Sequence, residues 1–214
     1  MHILLSYCKA RSGFFMKKLK YFTVVGGAAV LALGAAAHFF YEWSGNNFFV
    51  GMFSPVNESV WEHMKLAFFP MLLFSFAANL FLKKDYPGAA SSALCGALLS
   101  TALIPVIFYT YSGVLGYNSL LPDILTFVFS VLTGVLTFFC LCKSGAAETF
   151  FPALFTSAAV LAVLFFIFTF SRPKYVFFKK PVHEFFFPYY GHMPRNLVIY
   201  IYTISIRPEE RYEP

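Results

Sequence analysis

Five long apolar runs, separated by short polar punctuation, set the plan of this chain. They cover Tyr21–Tyr41, Val60–Leu82, Ala89–Tyr111, Leu121–Leu141 and Phe150–Phe170. Each is close to the ~20 residues that a helix needs to cross a hydrocarbon core. Lipid offers no partner for backbone N–H and C=O groups, and the period-2 alternation of a barrel strand is absent, so helix is the predicted form. The pattern predicts an all-α integral membrane helix bundle of about five transmembrane helices over 21–171. An N-terminal arm at 1–20 precedes it, and an irregular aromatic and basic tail at 172–214 follows. Gly and Ala concentrated in Gly26–Ala37 and Ala89–Ala97 suit close helix packing. Pro70 and Pro105 fall inside the second and third spans, where each is expected to kink its helix.

Composition agrees with a membrane location. The chain is 59% hydrophobic and 21% aromatic, and only 12% charged, half the charged share usual for a soluble domain. The 214 residues carry a formal charge of +6. The excess cations flank the spans and occupy the tail, a membrane-surface pattern that gives no support to nucleic-acid binding. Lys9, Arg11, Lys17, Lys18 and Lys20 precede the first span, Lys83 and Lys84 follow the second, and Lys143 follows the fourth. The positive-inside rule makes these regions cytoplasmic. It predicts a multi-pass cell-membrane protein with its N-terminus inside and, after five crossings, its C-terminus outside. Arg172, Lys174, Lys179 and Lys180 of the tail oppose that orientation, four cations against eight. A sixth crossing by Glu184–Ile206 is not expected, because it would bury Arg195 and Pro194. Met16-Lys-Lys-Leu-Lys has the look of a natural start, which makes 1–15 a leader or a short cytoplasmic arm. The four cysteines, Cys8, Cys95, Cys140 and Cys142, form no framework, and reduced thiols are expected.

Against this apolar background, two polar segments meet where the first span ends and the second begins: His38–Asn47 (HFFYEWSGNN) and Asn57–Lys65 (NESVWEHMK). Ionisable residues beside a bilayer span are costly enough to suggest a function by default. His38, Tyr41 and Glu42 share one helix face at i, i+3, i+4 spacing. Asn57 or Ser59 can cap the second helix, and Ser59-x-x-Glu62 fits a capping box. Glu58, Glu62 and Lys65 then form a stripe at i, i+4, i+7, while His63 lies about 100° around from Glu62 and meets a different neighbour. The short connection makes the two helices antiparallel neighbours. His38, Glu42, Glu58 and Glu62 are therefore expected to converge, with Tyr41, Asn57 and His63 completing a ligand-binding set. His38, Glu42 and Glu62 are the candidate ligands for zinc or a similar divalent metal. Trp43 and Trp61 read as interfacial anchors. Each element also has a structural reading: the Glu residues complement a helix dipole and pair with Lys65, and His38 snorkels to Glu42.

HFFYEWSGNN followed by VGMFSPVNESVWEHMKLAFFP resembles the signature of a family of small bacterial multi-pass membrane proteins known only as a domain of unknown function. The resemblance is most specific over residues 38–70, and it implies an inner-membrane architecture without an activity. The chain departs from that pattern beyond about Pro181, where a shorter tail is expected, so His183 and His192 acquire no role from it. Glu42-Trp43, Asn47 and Glu58 through His63 are more weakly similar to the early motif of metal-dependent membrane hydrolases such as alkaline ceramidases and adiponectin-receptor-like proteins. The seven spans and late HxxxH pair of those proteins are missing here.

The expected function is ligand or lipid-headgroup binding in an extracytoplasmic polar pocket. The alternatives are a metal-dependent membrane hydrolase, with Glu42 or Glu62 as ligand or base and His38 as ligand, and a scaffold or partner subunit of a membrane complex. The expected partners are membrane lipids and a further membrane protein.

Overall fold

A computed structural model describes the backbone of residues 2–171 and the side chains of residues 13–171. Within them the elements are α1 (His2–Trp43), α2 (Phe48–Phe53), α3 (Val60–Leu82), α4 (Ala89–Leu115), α5 (Leu120–Ser144), a 3-10 turn (Glu148–Phe150) and α6 (Phe151–Phe170), with no strand among the described residues. Five helices are long and apolar enough to cross a membrane: Gly13–Trp43, Val60–Leu82, Ala89–Leu115, Leu120–Ser144 and Glu148–Phe170. The predicted architecture is therefore the observed one. Glu184–Ile206, His183, His192 and the tail cations lie outside the described residues.

The bounds of α3 match its apolar run residue for residue, because Ser59 caps it. Its side chain accepts from the Glu62 N–H, and its extended backbone begins the turn. Only half of the expected capping box forms. The Glu62 carboxylate reaches past Ser59 to accept from the Val56 N–H at 3.1 Å. Helices α4 and α5 run a turn beyond their predicted ends and stop at Gly116 and Gly145, whose left-handed backbone (φ 75° and 73°) closes each C-terminus. Helix α1 continues through the expected boundary between arm and span. Pro70 and Pro105 are both accommodated within continuous helices.

Helices α3 and α4 form the inside of the bundle, with most of their spans buried, whereas α1 and α6 turn most of their length outward. The core is built from Phe68, Met71, Phe74, Ala78, Ala93, Ala97, Val131, Phe138 and Phe165, all buried. Helices α4 and α5 meet backbone to backbone: a Cβ added to Gly96 would lie 2.3 Å from the Gly134 carbonyl oxygen, and one at Gly134 would lie 2.6 Å from that of Gly96. Gly34 of α1 makes a similar approach to the Leu66 carbonyl of α3. Small residues thus permit the close packing that lipid, as apolar as the side chains it would exchange with, does not itself drive.

The two ends of the bundle differ. At one end, Lys18 donates to Asp85 at 2.5 Å and Gly88 approaches Glu148. This end carries the cationic flanks Lys17, Lys20, Lys83, Lys84 and Lys143. At the other end, the chain between α1 and α3 folds back as α2, capped by Asn47, whose side chain accepts from the Phe49 N–H. Phe48 stacks on Phe170, and Phe53 meets Phe69 and Phe166 edge-on, so α2 rests on α3 and α6. The six-residue apolar run of α2 is too short to register as a helix by periodicity.

Candidate functional site

Three of the expected site residues come together at the α2 end. Glu58 lies just before the Ser59 cap and is therefore not part of the α3 stripe. Its carboxylate sits between two imidazoles: Oε2 is 3.3 Å from His63 Nε2, and Oε1 is 3.9 Å from His38 Nε2. The rings of His38 and His63 are 5.4 Å apart, centre to centre. All three side chains keep access to the surroundings, at 34%, 54% and 31% exposure for His38, Glu58 and His63. His63 Nδ1 lies 2.9 Å from the Ser59 carbonyl oxygen. A carbonyl can only accept, so Nδ1 carries the proton, and Nε2 is the nitrogen turned toward Glu58.

Glu62 and Glu42 stand apart from this group. Glu62 and Lys65 are 1% and 0% exposed. Lys65 Nζ donates to Glu62 Oε2 at 2.9 Å, to the Gly51 carbonyl at 3.0 Å and to Thr169 Oγ1 at 2.6 Å. The anticipated Glu62–Lys65 pairing is present, but it faces α2 and α6. Burial makes Glu62 the clamp of that junction, unavailable to the metal grouping expected for it with His38. Glu42 is exposed near the end of α1. Of the expected metal set His38, Glu42 and Glu62, only His38 joins the grouping found here, with Glu58 and His63. Their ligand atoms lie within 4.8 Å of one another.

The remaining expectations resolve individually. The Tyr41 ring lies against Gly51 of α2. Asn57 accepts from the Ser59 N–H at 2.8 Å and shapes the turn into α3. Trp43 is 72% exposed and stacks on Phe39. Trp61 is only 8% exposed and packs on Phe165 and Phe168, which makes it core where an interfacial anchor was expected. One turn of α3 accounts for the difference, since successive residues point about 100° apart.

Asp123, in the first turn of α5, lines the same cleft as Glu58 and His63, with Val60, Leu66, Ile104, Phe108, Thr126 and Phe127 completing the walls. The cavity measures about 60 Å³, room for a few water molecules or one small charged group. Tyr111 of α4 donates a hydrogen bond to Asp123 Oδ1 and ties α4 and α5 together at this end of the bundle. The site thus presents two carboxylates and one imidazole on apolar walls, suited chemically to holding a cation or a hydrogen-bond donor. A wide sequence separation between Glu58 and Asp123 hid this pairing from any local motif.

No curated protein and no solved structure matches the chain. A family model matches residues 13–186, more than half of the chain, and it extends slightly past Pro181, where departure from the resembled pattern was expected. By that match the chain belongs to DUF6512, a family of unknown function whose model spans the whole five-helix bundle.

Proposed function

We propose that this membrane protein binds a small polar ligand or a lipid headgroup in the cleft between the outer ends of α3, α4 and α5. The observation that carries the reading is the placement of Glu58, His63 and Asp123 on one otherwise apolar cavity. Carboxylates on apolar walls favour a cationic hydrogen-bond donor, and an ammonium-bearing headgroup arriving from the bilayer is one. The orientation that goes with this reading rests on the cationic flanks, which are confined to the opposite end among the described residues and make the cleft extracytoplasmic. A scaffold role would not call for charged groups in a cavity.

Native mass spectrometry of the detergent-purified protein, supplied with phosphatidylethanolamine, phosphatidylcholine or phosphatidylglycerol and with diacylglycerol as a headgroup-free control, tests the reading. Free ethanolamine and choline distinguish a soluble ligand from a lipid. The expected result is retention of an ammonium-bearing species that weakens when Asp123→Asn is introduced. Equal retention of all lipids including diacylglycerol, with no binding of the free amines, would overturn it.

A further inference from the structure

We infer that His38, Glu58 and His63 bind a divalent metal ion of the zinc class at the mouth of the cleft. The starting point is the convergence of three ligand atoms. His63 Nδ1 is committed as donor to the Ser59 carbonyl at 2.9 Å, which leaves Nε2 to face Glu58 Oε2 at 3.3 Å. His38 brings a second ring nitrogen to the other oxygen of the same carboxylate at 3.9 Å, with its ring 5.4 Å from that of His63. One metal ion among the three groups would draw these ligand atoms to a single centre.

The geometry suits the ion. Zinc–nitrogen and zinc–oxygen bonds of about 2.0–2.2 Å in a tetrahedron hold ligand atoms roughly 3.3–3.6 Å apart. The His63–Glu58 distance of 3.3 Å already meets that spacing, while His38 lies 3.9 Å from the other carboxylate oxygen, and rotation of the exposed Glu58 and His38 side chains closes a set whose ligand atoms lie within 4.8 Å of one another. A backbone carbonyl holding the far ring nitrogen is the usual outer support of a metal-bound histidine, fixing tautomer and direction. Two imidazoles and one carboxylate favour zinc, cobalt or nickel over magnesium and calcium, which prefer oxygen ligands. Three protein ligands leave a fourth position for water or for an oxygen of whatever occupies the adjoining cavity, the arrangement of catalytic rather than structural zinc. This last step rests on the cleft being the binding site; ion binding itself does not.

Full-length protein in detergent, stripped with a chelator, is titrated with Co²⁺ and then Zn²⁺. The expected result is one Co²⁺ per chain, giving the intense visible bands of a four-coordinate N/O site, displaced by Zn²⁺ and untouched by Mg²⁺ or Ca²⁺. Zn²⁺ raises the melting temperature of the wild-type protein, because an ion that binds only the folded state stabilises it. His38→Gln, Glu58→Gln and His63→Gln each weaken Co²⁺ binding at least about tenfold, while Glu42→Gln leaves it unchanged. Absence of both the cobalt bands and the zinc-dependent rise in wild-type protein, a result that depends on no variant, overturns the inference. Undiminished binding in the double variant His38→Gln/His63→Gln also overturns it. Headgroup retention by the stripped protein separates the two readings. Retention without metal binding leaves the cleft reading standing alone, and metal binding without retention removes the cleft reading while keeping the ion.

Discussion

Two polar clusters lie one residue apart in sequence and are built on opposite principles. Glu62 and Lys65 are sealed from solvent, and the ammonium donates to a carboxylate, a backbone carbonyl and a hydroxyl from three different elements. His38, Glu58 and His63 are each about a third to a half exposed, and their ring nitrogens and carboxylate oxygens converge. The first cluster is closed off from its surroundings and joins α2, α3 and α6. The second opens on the cleft. Buried charge alone therefore does not mark a binding site. The informative sign is polar chemistry that lines a cavity.

Breaking the sealed cluster has the largest expected effect. Lys65→Met strands the Glu62 carboxylate in the interior, and removing one member of a buried pair costs about 3–5 kcal/mol. Denaturant or thermal unfolding in detergent measures this loss, and Lys65→Met combined with Glu62→Gln should recover a large part of it. A single variant as stable as wild type would show that the junction of α2, α3 and α6 is held by its aromatic contacts alone.

Ser59 serves both clusters, through different atoms. Its hydroxyl caps α3 at the Glu62 N–H, and its carbonyl holds His63 Nδ1. Ser59→Ala removes only the hydroxyl and is expected to cost about 1 kcal/mol. Cobalt affinity should stay close to wild type, since the carbonyl remains. A loss of metal binding as large as that of His63→Gln would mean that the two clusters are mechanically one.

The smallest perturbation asks only about access. With the native cysteines replaced, a membrane-impermeant thiol reagent applied to intact cells should label Glu58→Cys, leaving Thr169→Cys and Lys84→Cys unmodified. Labelling of Lys84→Cys in place of Glu58→Cys would invert the orientation. Labelling of Thr169→Cys as readily as Glu58→Cys would erase the contrast between sealed and open clusters.

Much of this architecture is legible in the chain itself. Runs of apolar residues long enough to cross a bilayer leave helix as their form, because lipid cannot satisfy an open backbone, and the start of α3 is written locally in Ser59. Glu62 and Lys65 are likewise i, i+3 neighbours whose pairing follows from helical spacing. What the sequence could not decide is which way each turn faces. Trp61, Glu62 and His63 are consecutive, yet one enters the core, one enters a sealed ion pair and one faces an open cleft. Rotation of α3 about its axis sorts them, and that rotation is set by contacts with Gly34 of α1, the α4–α5 pair and Thr169 of α6, up to 104 residues away. Glu42 stands exposed near the end of α1, and Glu58 precedes the helix whose stripe it was expected to join. Composition and spacing determined the membrane bundle and the end at which its polar chemistry gathers. Tertiary packing alone determined the partners, because a ligand set depends on side-chain directions that change by about 100° with every residue.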